Sequence, residues 1–224
     1  MKKYNAAALD MDGTLIDSLK DLAVAGNTAL EEFGFPTHPV DAYRYFAGGG
    51  LEVLVGRALP QGALNQLDRE TLHKLISRAG KYYATHWDVY TTPYPGVRET
   101  LSALQEKGIP LAIVTNKPHV WLLEMLDHFF PDIHFAHVRG AGPDVPTKPN
   151  PFTALEAASA IGLPPSAFAF VGDSDVDMLT AHNAGMGAFG AAWGFRGSQE
   201  LKKAGADFLL DNMSELLNFM QKGK

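Results

Sequence analysis

The chain has 224 residues, a formal charge of −6 and no cysteine. The absence of thiols excludes disulfides, thiolate metal sites and cysteine nucleophiles, and the acidic balance argues against nucleic acid or an anionic membrane as a partner. A chain this long holds one large domain, or a core domain with a smaller insert, and buries roughly 70% of its unfolded surface, enough for a core without crosslinks. The apolar run after Met1-Lys2-Lys3 is cut short by Asp10, too early for a secretion signal. No stretch is long enough to span a membrane, so residence in the cytoplasm is expected.

Ala6–Leu9 reads as a short buried strand. From Ser18 the period changes: Leu19, Leu22, Ala23, Gly26, Leu30 and Phe33 share one helical face, with Ser18 and Asp21 spaced as an N-terminal capping pair and Gly34 as the stop. Helical patterning continues over 40–46, 51–59 and 64–87, broken at Gly48-Gly49-Gly50 and near Pro60, with no strand between Asp17 and Tyr90. Thr91–Gly96 is rich in turn formers and reads as a linker. Beyond it, helices over 97–107, 118–128, 151–161 and 175–184 alternate with strands over 111–115, 135–138, 168–171 and 188–191. Phe208–Leu210 and a helix over 214–220 complete the pattern.

Short apolar strands alternating with helices predict right-handed crossovers and a parallel sheet covered on both faces. The helical stretch of about 75 residues is too long for a connection and is expected to be an inserted domain. The predicted architecture is an α/β Rossmann-like core, 1–16 and 92–224, with an all-helical domain over 17–91.

Asp10-Met11-Asp12-Gly13-Thr14 is the most informative segment. Where a strand ends and the chain begins to turn, two acids separated by one residue can converge on one point, and their repulsion needs a cation or a shared proton. Average residue frequencies give such a pattern by chance about a few times in a thousand chains of this length. Ligands of an open parallel sheet sit beyond its carboxyl edge. That edge collects Asp10, Thr115-Asn116, one ammonium from Thr147-Lys148-Pro149, and the acidic run Asp173-Ser174-Asp175-Val176-Asp177.

On these residues the chain resembles the haloacid dehalogenase superfamily phosphatases with a helical cap, and is most similar to bacterial phosphoglycolate phosphatases. Asp10 to Thr14 fits the family's first motif, Thr115 its second, Lys148 its third, and Asp173 with Asp177 its fourth. The resemblance implies a Mg²⁺-dependent hydrolase of a small phosphate monoester, best matched by 2-phosphoglycolate, working through an aspartyl-phosphate. It implies Asp10 as nucleophile, Asp12 as acid and base, and Lys148 as charge balance. Thr115 and Asn116 would bind the transferring group. Mg²⁺ would be held by Asp10, Asp173 and the Asp12 carbonyl, with Asp177 supporting the site from behind. Gly49, Gly50 and Arg57 fall where the family's cap meets substrate.

Two readings within the superfamily stay open, a β-phosphoglucomutase-like mutase and a pyrophosphatase. A receiver-like phosphoacceptor is the alternative from a different class. The expected partner is a small-molecule ester, with no nucleic acid or membrane, and a monomeric or homodimeric state.

Overall fold

The computed structural model describes residues 3–221; Met1 and Lys2 of the N-terminal run, and the last three residues of the expected core domain, lie outside the described residues. In chain order the elements are β1 Ala6–Leu9, β2 Ile16–Asp17, α1 Leu19–Glu32, α2 Tyr43–Phe46, α3 Leu51–Ala58, α4 Ala63–Gln66 and α5 Arg69–His86. They continue as β3 Thr92–Pro93, α6 Val97–Glu106, β4 Leu111–Pro118, α7 His119–Phe129, β5 His137–Ala141, α8 Phe152–Ile161, β6 Phe168–Gly172, α9 Asp175–Ala184, β7 Gly187–Ala191, α10 Ser198–Lys203 and β8 Phe208–Leu210. The helix expected over 214–220 is a 3₁₀ helix, Met213–Phe219.

The large sheet has six strands in the order β5-β4-β1-β6-β7-β8, each pair parallel. Alternate residues of its inner strands are buried on opposite faces. Ala6, Ala8, Ala112, Val114, Phe168 and Phe170 join a core completed by Ala154, Ala157, Met178, Ala181 and Leu201 from α8, α9 and α10. Residues of the other parity, Ala7, Leu9, Ile113, Val171 and Phe189, are equally buried, so both faces are covered. Phe189 is plugged by Phe219 of the 3₁₀ helix, ring centroids 5.1 Å apart. Each fully buried Val, Leu, Ile, Phe or Met among them contributes about 1.5–3 kcal/mol of hydrophobic stabilisation. The α/β class read from alternating apolar runs is therefore the class observed.

The chain divides into two compact units, one of which ends at Asp17 and resumes at Pro93, while the other is Ser18–Thr92. The second is wholly helical or irregular up to Thr92, and α1 and α5 form its main packing. Tyr43 is fully buried there and donates its hydroxyl to Asn27 Oδ1 at 2.9 Å. Asn27 also brackets His38 through its backbone N–H and carbonyl. The helical run 64–87 splits at Asp68, whose carboxylate accepts the Thr71 N–H at 2.8 Å and starts a new helix.

Asp21 corrects the expected capping pair. It is buried at 3% exposure and turns away from the helix end. Its carboxylate accepts hydrogen bonds from the Tyr90 N–H, the Thr91 N–H and the Thr91 hydroxyl, the last two at 2.8 and 2.7 Å. Spacing alone mimicked a cap, but the side chain serves a long-range clasp between α1 and the chain leaving α5. No helix among the described residues is long and apolar enough to cross a membrane.

Removing the clasp strands three donors around a buried site. Asp21→Ala is expected to cost about 3 kcal/mol in denaturant unfolding of the full chain. A loss below about 1 kcal/mol would show that the clasp does not hold the helical unit together.

Candidate active site

β1 lies between β4 and β6, the place where successive crossovers pass to opposite sides and leave a crevice beyond the strand ends. The Asp10 N–H still bonds Val171 O at 2.9 Å, so its carboxylate emerges at the last point of sheet register. The chain then folds back sharply: Thr14, Leu15 and Ile16 all donate their N–H groups to Met11 O, and Gly13 N–H bonds Ile16 O. Gly13 has φ +82°, and a Cβ there would lie 2.3 Å from Asp173 Oδ2. Only glycine lets the first turn approach the fourth motif so closely.

β4 carries the second group of polar residues. Its register shifts between Val114 and Pro118 as it leaves the sheet, with the Lys117 N–H bonding Thr115 Oγ1 at 3.2 Å. Thr115 also hydrogen-bonds Asp10, helping to keep that carboxylate ionised. Asn116 and the Lys148 backbone bond each other twice: the Lys148 N–H donates to Asn116 Oδ1 at 2.8 Å, and Asn116 Nδ2 donates to Lys148 O at 3.3 Å. The Asn116 carboxamide, expected at the transferring group, here fixes the segment that presents the ammonium.

Lys148 Nζ lies 2.8 Å from Asp10 Oδ1 and 2.6 Å from Asp177 Oδ1. The contact with Asp10 is an ion pair off the hydrogen-bond direction, and Asp10 Oδ1 is buried without a hydrogen bond. Asp177 Oδ2 accepts from Ser174 N–H and Oγ–H, which starts α9 and fixes the carboxylate. Asp173 Oδ2 accepts the Phe195 N–H at 2.8 Å. The loop carrying Phe195 reaches that far because Gly194 has no side chain: a Cβ there would sit 2.2 Å from Asp173 Cβ. Asp175 is exposed in the first turn of α9, outside these contacts.

Sequence reading expected one ammonium; the structure places two. Lys117 is buried, and its Nζ lies 2.9 and 3.1 Å from the two carboxylate oxygens of Asp12. The available signal was its parity with Thr115, since residues two apart on a strand share a face. The Phe195 N–H leaves no trace in a sequence, because any residue but proline supplies one. Among the cap candidates, Gly49 and Gly50 lie in the loop before α3, and Arg57 is on α3. Arg57 donates to Tyr45 O at 3.1 Å and to Phe46 O and Ala47 O at longer range, closing the carbonyl end of α2.

Oxygens of Asp10, Asp173 and Asp177 all lie within 4.8 Å of one another, and all three residues are buried. Burial, reinforced by Asp177, pushes the Asp10 carboxyl up to about 6 even though Lys148 pulls it down. Asp173 is raised well above the ordinary range, first by burial and then by Asp177 and Asp10. Lys148 stays an ammonium: burial opposes its charge, but Asp10 and Asp177 outweigh that and hold its pKa up. Four carboxylates (Asp10, Asp12, Asp173, Asp177) face two ammoniums (Lys117, Lys148), leaving a formal surplus of two negative charges. An all-oxygen donor set with that surplus fits a hard divalent cation.

A family model described as haloacid dehalogenase-like hydrolase matches residues 8–191. A phosphoglycolate phosphatase from Mannheimia succiniciproducens is 35% identical over 223 residues, covering 97% of this chain and 99% of its own. One from Vibrio parahaemolyticus is 35% identical over 212 residues, covering 94% and 93%. The crystal structure of a predicted phosphoglycolate phosphatase from Haemophilus somnus superposes with a TM-score of 0.89 at 30% identity, covering 97% of this chain and 98% of its own.

Because the folded Asp10 pKa of about 6 exceeds its ordinary 3.8, the metal-free fold holds an extra proton between those values. It therefore loses stability as pH rises through that window. A saturating divalent cation should raise the thermal midpoint more at pH 7.5, where Asp10 is ionised, than at pH 5. Scanning calorimetry checks this; equal shifts at both pH values would contradict the charge surplus.

Proposed function

The chain belongs to the haloacid dehalogenase-like hydrolase family, and from that membership we propose that it hydrolyses small phosphate monoesters, with 2-phosphoglycolate as its substrate. The observation that carries the reading is Lys148 seated between Asp10 and Asp177, beside a buried Asp173, at the crevice edge of the sheet. A carboxylate nucleophile facing an anionic ester needs such compensation.

In this reading one oxygen of Asp10 attacks phosphorus, the bond to the ester oxygen breaks, and an aspartyl-phosphate forms. Asp12 gives its proton to the departing alkoxide. It then takes a proton from the water that attacks the same phosphorus, whose bond to Asp10 breaks to release phosphate. Lys148 holds Asp10 in place and offsets charge on the phosphoryl oxygens. Thr115 donates a hydrogen bond at the same point, and Asn116 acts by fixing the Lys148 backbone. Asp10, Asp173 and the Asp12 backbone carbonyl would hold Mg²⁺, which when bound neutralises negative charge on the nucleophile and the phosphoryl group. Asp177 keeps Lys148 from being drawn away.

Gly49, Gly50 and Arg57, all in the helical unit Ser18–Thr92, are the further candidates for substrate contact. The enzyme works in the cytoplasm, as a monomer or homodimer, on a small-molecule ester without nucleic acid or membrane.

A Mg²⁺-supported panel ranked by kcat/KM tests this. 2-Phosphoglycolate should exceed pyrophosphate, glucose phosphates and nucleoside monophosphates by at least about 100-fold, and Asp10→Asn should lower phosphate release by at least about 10⁴-fold. A flat panel would contradict the substrate, and undiminished turnover in Asp10→Asn would contradict the nucleophile.

A further inference from the structure

We propose that Lys117 determines substrate specificity by receiving a carboxylate that the leaving group carries one carbon from its ester oxygen. This deepens the phosphoglycolate reading and rests on it. Lysine is rarely buried, and the described residues bury two, Lys117 and Lys148. They sit at opposite ends of the bond to be broken: Lys148 on the nucleophile Asp10, Lys117 on the acid Asp12.

The Lys117 side chain is 2% exposed, while that of Asp12 is 17% exposed. The ammonium is therefore buried more deeply than the acid it meets. Both Asp12 oxygens engage Nζ, at 2.9 and 3.1 Å. A general acid works within about 2.6–3.2 Å of the oxygen it protonates. Lys117 Nζ consequently lies within about two hydrogen-bond lengths, roughly 6 Å, of the departing oxygen. A carboxylate joined to that oxygen through a single methylene spans much of this gap. The ordinary three-donor geometry of an ammonium allows it to meet two carboxylates at once.

Lys148 already shows a buried ammonium in this role, bridging Asp10 and Asp177. With substrate bound, Lys117 forms the matching bridge between Asp12 and the leaving carboxylate, offsetting the repulsion that arises once Asp12 has given up its proton. An ester whose leaving group has no charge gains nothing from that ammonium. The site therefore favours phosphoesters of 2-hydroxy acids over those of neutral alcohols. The backbone that carries Lys117 is anchored, since its N–H is held by Thr115 Oγ1.

The test compares 2-phosphoglycolate with 2-hydroxyethyl phosphate, which keeps the ester and chain length and loses the charge. The readout is the ratio of the two kcat/KM values in wild type and Lys117→Met. The ratio should fall by at least about 100-fold in the variant, because both substrates lose the support to Asp12 but only one loses its carboxylate partner. If both substrates lose equally, Lys117 only positions Asp12 and the proposal is overturned while the phosphoglycolate reading stands. If wild type does not prefer the carboxylate ester, the substrate reading fails and this proposal fails with it. Should Lys117→Met not fold by circular dichroism, Lys117→Arg is read in the same ratio. It keeps a cation on Asp12 but changes the donor geometry. A fall of about tenfold supports the proposal, and an unchanged ratio overturns it.

Discussion

Buried negative charge at the ends of β1 and β6 is the constraint to which the surrounding structure answers. Asp10, Asp173 and Asp177 crowd within 4.8 Å in a region from which water is largely removed. Such a cluster is costly, and each of its carboxylates is held by at least one cation or donor. Lys148 bridges Asp10 and Asp177, Ser174 at the start of α9 also holds Asp177, and the Phe195 N–H holds Asp173. The surplus that remains suits a divalent cation. Burial first, and then the neighbouring carboxylates, raise the Asp10 and Asp173 carboxyls.

Backbone geometry lets these groups meet. The strand order puts β1 between β4 and β6, so the three relevant strand ends are neighbours in space though far apart in sequence. Gly13 and Gly194 then allow two loops to press against Asp173 where any side chain would collide. The chemistry thus depends on residues with no chemistry of their own. A methyl group at either position would force Asp173 or the loop against it to shift.

Much of this was legible in the sequence where local signals were strong. β1 at Ala6–Leu9 and α9 at Asp175–Ala184 fall at the expected residues, because an apolar run ending in acids and a capped helix closed by Gly185 are unambiguous. The edge strand β5 lies at His137–Ala141 rather than 135–138: it contains His137, Arg139 and Gly140, and pairing with β4 outweighs hydrophobicity there. The two-residue strands β2 and β3 and the short α10 are too brief to carry a period. At the site, side-chain identities pointed to the acids and to Lys148, whereas contacts made by the backbone did not show. Asp21 and Asn116 illustrate the limit. Their types and positions suggested a cap and a ligand contact, but their partners, Thr91 and the Lys148 backbone, are set by tertiary folding.

A single divalent cation between Asp10 and Asp173 would resolve the charge surplus. A crystal structure of the protein grown with Mg²⁺ measures this directly. It should show one ion per chain, bound at about 2.0–2.1 Å by a carboxylate oxygen from each of Asp10 and Asp173. An ion held elsewhere, or carboxylates that stay apart from any ion at saturating Mg²⁺, would contradict it.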